Sequence, residues 1–143
     1  MKNLLLGLFL TSSICYSQTV EKKTLFKSKL GYEIVNSIRE KDTMTYFYYG
    51  YQNQKYQHIT DIGSVFLSKK SDLKLFADKL IEFSGKEKGT DISFADKKFT
   101  MRLYDFSEMI YIEDTKDKYT TLSKKNAKKL ADEIYTKLDL LKD

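Results

Sequence analysis

The sequence is poor in the residues on which covalent scaffolds and many enzymes depend. It holds one cysteine, Cys15, and one histidine, His58. Cys15 lies in a leader-like N-terminus, and if it is removed with that leader the mature chain has no thiol. Disulfides, thiol catalysis and thiolate metal sites are then excluded. A lone imidazole provides no partner for a histidine-based metal set, and a Ser-His-Asp triad would have to be built on His58, which reads as a polar strand residue beside Tyr56. The six glycines are scattered and form no phosphate-cradling loop. Neither G-x-S-x-G nor H-E-x-x-H occurs. No catalytic residue, metal ligand or cofactor is assigned on these grounds. Tryptophan is also absent, so the aromatic content consists of eleven tyrosines and nine phenylalanines.

The chain begins with Met1-Lys2-Asn3, an apolar run from Leu4 to Leu10, and a small polar stretch ending at Ser17. This is the order of a secretory signal peptide, and the apolar part is too short to span a bilayer. Cleavage is expected after Ser17, because Cys15 and Ser17 supply the small residues three and one before the bond. A lipoprotein site at Cys15 is the rival reading. It wants a small residue just before the cysteine and an aliphatic one three before, whereas Ile14 and Ser12 occupy those places in reverse. The expectation is an exported protein, periplasmic or secreted, with no transmembrane segment once residues 1–17 are gone.

Residues 18–143 are enough for a single domain with a real core. The formal charge of the whole chain is +5. Its lysines occur as scattered pairs among many carboxylates, which is a solvated mixed surface rather than a nucleic-acid footprint. No nucleic-acid partner is expected.

Thr19 to Lys23 reads as an unpaired leader. From Phe26 to Ile38 the even positions are mostly apolar, a period of two that suits a half-buried strand. The centre of the chain is a hairpin: Thr43 to Tyr51 and Tyr56 to Leu67 are aromatic, β-prone runs on either side of Asn53-Gln54-Lys55. The alternation changes face at Asp61-Ile62-Gly63, where a glycine marks a bulge or bend. Ser68 or Ser71 can cap a helix with the stripe Leu73, Phe76, Ala77, Leu80 and Ile81, stopped by Ser84-Gly85. After the charged segment Gly85 to Gly89 come short strands at Asp91 to Ala95, Phe99 to Tyr104, Met109 to Glu113 and Lys118 to Leu122. A second amphipathic helix covers Ser123 to Leu141.

The halves superimpose in sequence. Leu67-Ser-Lys-Lys70 recurs as Leu122-Ser-Lys-Lys125, and the two helix stripes match after a slip of one residue. The reading is an internal duplication of a strand-strand-(strand)-helix unit, with pseudo-repeats at about 30–84 and 91–141. The fold class expected is α+β, an antiparallel sheet with two amphipathic helices packed on one face.

Three groups of residues have chemical potential. Tyr46, Tyr48, Tyr49, Tyr51 and Tyr56 crowd one hairpin, and tyrosine offers an apolar face with a polar tip at low entropic cost, which suits binding a protein, peptide or glycan. Strand parity places Tyr46 and Tyr48 on one face and Phe47, Tyr49 and Tyr51 on the other. Lys69, Lys70, Lys124 and Lys125 sit where helices begin and oppose the macrodipole, so they are candidate anion ligands. Asp105, Glu108, Glu113, Asp114 and Asp117 could supply an acid-base pair for a small hydrolase, but most fall where turns are expected and aspartate is itself a turn residue. The function favoured is an exported, non-enzymatic binding module of the bacterial envelope or exterior that uses the aromatic hairpin. The alternatives are the small hydrolase and a structural or accessory subunit of an envelope complex.

Overall fold

The computed structural model describes residues 20–28, 33–40, 44–54 and 61–141. Strands β1 (Val20–Lys27), β2 (Glu33–Glu40), β3 (Met44–Gln52) and β4 (Ile62–Leu67) lead into helix α1 (Lys70–Ser84). Strands β5 (Ile92–Ala95), β6 (Phe99–Leu103), β7 (Met109–Asp114) and β8 (Tyr119–Ser123) lead into helix α2 (Lys124–Leu138). Each set of four strands is an antiparallel meander, ordered β1-β2-β3-β4 and β5-β6-β7-β8. The protein is therefore α+β with antiparallel sheets.

Two sheets are present where one was expected. The edge of β4 is closed by a side chain rather than by a further strand: the Ser64 N–H donates to Asp114 Oδ2 at 3.1 Å. Asp114, at the end of β7, also accepts from the backbone N–H groups of Lys116 and Lys118 at 2.8 and 3.2 Å. One buried carboxylate thus shapes the β7–β8 turn and saturates a donor on the neighbouring sheet. The seam continues through Gln54 N–H to the Tyr119 carbonyl (2.9 Å) and the Tyr51 hydroxyl to the Lys118 carbonyl (2.7 Å).

Three local readings change. Residues 20–23 are not an unpaired leader, because Val20 to Lys23 pair with Glu40 to Ser37 in β2. The segment read as one strand from Phe26 to Ile38 is divided between β1 and β2, and β1 itself carries a register shift between Thr24 and Phe26. Gly63 is not at a bulge. Pairing runs unbroken from Gln52↔Ile62 through Tyr51↔Gly63 to Phe47↔Leu67, and the glycine is there because a Cβ would meet the Tyr51 ring at 2.2 Å.

The helix starts explain the slip between the two halves. α1 begins three residues after Leu67, with Lys69 as N-cap, whereas α2 begins two residues after Leu122, with Ser123 as N-cap. Ser123 accepts from the Asn126 N–H at 3.2 Å. Ser68 and Ser71, the caps expected for α1, do not fill that role. The Asp72 carboxylate accepts instead from the Lys69 N–H (3.1 Å) and from the Ser68 hydroxyl (2.9 Å), and a carboxylate in a first turn also suits the helix dipole.

The buried stripes are Leu73, Phe76, Ala77, Leu80 and Phe83 on α1, and Ala127, Leu130, Ala131, Ile134 and Leu138 on α2. They join alternate residues of both sheets in one cluster. Phe76 links the halves, with ring centroids 5.2 Å from Tyr49 of β3 and 5.2 Å from Phe99 of β6, the latter edge-on. Burying side chains of this size contributes about 1.5–3 kcal/mol each relative to exposure.

Candidate functional site

The two faces of β3 separate as strand parity requires. Phe47, Tyr49 and Tyr51 are buried in the core, while Tyr46 and Tyr48 are only half-buried on the opposite, open face. Tyr49 and Tyr51 are therefore structural. Burial drives both phenols' pKa upward, reinforced for Tyr51 by the Asp114 carboxylate, so Tyr51 keeps its proton and donates it to the Lys118 carbonyl. Tyr56 and His58 lie outside the described residues.

Register assembles the open face from rows across the strands. Asn36, Tyr48 and Phe66 form one row, Ile34, Gly50 and Ser64 the next, and Gln52 faces Ile62 beyond. Phe66 is 52% exposed and Ile62 68%, and the Phe66 ring rests 5.3 Å from that of Tyr46. Because the middle row contains Gly50, a depression opens there between Tyr48 and Phe66 on one side and Gln52 and Ile62 on the other. It encloses about 700 Å³, within the span of about 300–1,000 Å³ usual for small-molecule sites.

Gly50 and Gly63 make an instructive pair. Gly63 is imposed by packing against Tyr51. Gly50 is imposed by nothing in the fold: its φ is not positive, and an added Cβ would find ordinary contacts, 3.4 Å to Ile34 and 3.7 Å to Tyr48. Glycine within a strand costs backbone entropy and packing, and frequently marks a place where a ligand or another backbone approaches closely.

Two charges stand at the rim, Lys22 and Asp61. Asp61 is already compensated, paired with Lys118 and accepting from the Asn53 amide at 2.9 Å. Those bonds, Lys118 first, hold its carboxyl below the usual range. The Lys22 ammonium lies 5.6 Å from the Tyr48 ring centroid.

The four candidate lysines do not assemble. Lys70 Nζ donates to the Leu141 carbonyl at 2.8 Å, and Lys124 pairs with Glu108 at 3.0 Å and donates to the Lys86 carbonyl. Lys69 is exposed. Lys125 borders a second, more polar hollow of about 640 Å³ together with Lys129, Gln54 and Glu33. A carboxyl therefore lies in the same lining as the two lysines, and the hollow is not built for an anion alone. The carboxylates are likewise dispersed: Glu113 and Asp114 are consecutive in β7 and point to opposite faces, Asp114 inward, and Asp117 takes the left-handed turn conformation, φ 57°. Among the described residues no group of three or more His, Cys, Asp or Glu could hold a metal ion.

A second aromatic surface escaped the sequence reading. On the open face of the β5–β8 sheet, Tyr111 stacks on Tyr119 with centroids 4.6 Å apart, and Tyr104 stacks on Phe106 at 5.4 Å. Arg102 lies beside Tyr104, with Glu113 and Tyr111 close by. The signal was present as alternation in β6 and β7, but these tyrosines are spread over β7, β8 and the residue after β6 rather than crowded in one hairpin.

Among the described residues no helix is long and apolar enough to cross a membrane. No protein-family model matches the chain, and no curated protein or solved structure is significantly similar to it.

Proposed function

We propose that this protein is an exported binding module whose ligand site is the open face of the β1–β4 sheet. The observation that carries the reading is Gly50, a strand glycine that the fold does not require, flooring an apolar hollow between Tyr48, Phe66, Ile62 and Ile34. Contiguous exposed apolar surface on a monomer usually marks an interaction site. The leader-like order of residues 1–17 supports export to the envelope or exterior, and intact mass of the exported protein should then begin at Gln18.

The same reading includes descent of the two halves from one duplicated unit, each of four strands and a helix. The helices would cover one face of the strands and leave the other to ligands. The carboxylates that favoured a hydrolase serve turns, ion pairs and the seam between sheets.

The test is a pair of double variants, used to capture partners from an extract of the native envelope. Tyr46→Ser with Tyr48→Ser should stay folded by circular dichroism and lose capture. Tyr49→Ser with Tyr51→Ser should lose the fold, since each removes a buried ring. Undiminished capture by the folded Tyr46/Tyr48 variant would remove the basis for this function.

A further inference from the structure

We infer that the occupant of the Gly50 hollow is a fatty acid, held by its carboxylate at the Tyr48 end and by its acyl chain across the floor. The inference rests on the binding-module reading above and names its ligand class.

The middle of the hollow is hydrocarbon-lined. Ile34, Gly50, Phe66 and Ile62 form it, and the neutral groups of Gln52 and Ser64 are its modest polar additions. It lies on the face of a sheet whose backbone donors and acceptors are directed along the ladder to neighbouring strands. A peptide laid there would bring amide groups with few partners, and burying unpaired amides is unfavourable. An acyl chain brings none. The hollow extends from Lys22 and Tyr48 on one side, over Gly50, to Asp61 and Ile62 on the other.

The head group is chosen by charge. Asp61, at the Ile62 end, is neutralised by Lys118 and Asn53, which leaves no attraction for a cation. Lys22 has no carboxylate within ion-pair reach among the described residues and is held over Tyr48. Asn36, directly opposite Tyr48, does not line the hollow: it is fully buried, and its carbonyl accepts from the Thr24 hydroxyl at 2.8 Å. Among the described residues Lys22 is therefore the lining charge without an opposite partner, and it stands at one end of an apolar trough. That is the arrangement complementary to an amphipathic anion.

The experiment is calorimetric titration of the purified protein with three ligands that share a twelve-carbon chain, each below its micellar or solubility limit: dodecanoate, dodecanol and dodecyltrimethylammonium. Dodecanoate should bind with one-site saturation, and the other two about tenfold more weakly or worse, the size of one partly screened charge contact. Lys22→Glu should weaken dodecanoate by a similar factor and leave dodecanol unchanged. Gly50→Val, which raises the floor, should abolish binding of every chain, and Gly50→Ala should weaken it without lowering the thermal midpoint. Equal affinity for all three head groups would overturn the anion assignment and leave the apolar site standing. Binding of dodecanoate that ignores both Gly50 substitutions, or no binding of any chain, would overturn the fatty-acid proposal, whereas the function proposed above fails only if the Tyr46/Tyr48 variant still captures its partners.

Discussion

The open faces of the two sheets answer the same architecture differently. Both sheets are four-stranded antiparallel meanders in sequential order, each followed by a fifteen-residue helix. On the second sheet the outward positions of β6, β7 and β8 hold Arg102, Met109, Tyr111, Glu113 and Tyr119, where the two tyrosines stack on each other and Met109 is 40% exposed. Tyr111 is sufficiently enclosed by burial and by the Glu113 charge that its phenol is pushed up to about 12. On the first sheet the outward positions of β3 and β4 hold Tyr46, Tyr48, Gly50, Ile62 and Phe66, with a gap at the glycine and two large apolar residues left to solvent. One face carries charged side chains and a stacked tyrosine pair over its middle, and the other a glycine gap lined by apolar side chains. A shared layout of strands therefore says little about activity, which depends on what the outward half of each strand carries.

The helices should behave alike where the open faces differ. Leu80 and Ile134 occupy matching places in the two stripes and are both fully buried. Leu80→Ala and Ile134→Ala should each cost about 2–5 kcal/mol in urea melts. A loss below about half a kcal/mol at either site, the ordinary size of a surface change, would break the correspondence between the halves.

The two glycines of the first sheet give the next largest contrast. Gly63→Ala forces a methyl against the Tyr51 ring and should cost roughly 1–3 kcal/mol as overpacking. Gly50→Ala should change stability by no more than about 1 kcal/mol, in the stabilising direction, because it removes backbone freedom from the unfolded chain. Similar costs at both sites would mean that Gly50 is structural after all, and the argument for a hollow kept open would fail.

A smaller effect is expected on the second sheet. Tyr111→Ser with Tyr119→Ser deletes one cross-strand ring pair, worth about 0.2–1 kcal/mol, and should leave partner capture at the wild-type level. Loss of capture by that variant would transfer the binding role to the other sheet.

The smallest effect concerns the contact between helices. Tyr135 donates its hydroxyl to Asp78, and that bond, with help from Lys74, holds the Asp78 carboxyl below its ordinary 3.8. A depressed carboxylate contributes stability that is present above its unfolded value and is lost as pH falls through the folded one. Tyr135→Phe should therefore lower stability at pH 7 by less than about 1 kcal/mol, since the site is partly exposed. The difference from wild type should shrink as pH drops below 3.8. A difference that persists unchanged in acid would assign the effect to ring packing instead.

What the sequence determined by itself was local. The periods of 3.6 and 2 located both helices, the aromatic strand and the four short strands after Gly89, and parity alone separated Tyr46 and Tyr48 from Tyr49 and Tyr51. The tertiary structure decided which of those sets faces the core, because Phe76 of α1 rests on Tyr49 and nothing in β3 announces where that helix will lie. It decided that the strands form two sheets, through Asp114 reaching a backbone donor fifty positions away. It also decided that Gly63 serves a ring while Gly50 serves a space. Periodicity records how a side chain leaves its own strand, whereas these outcomes depend on contacts between segments distant in the chain, which no local pattern contains.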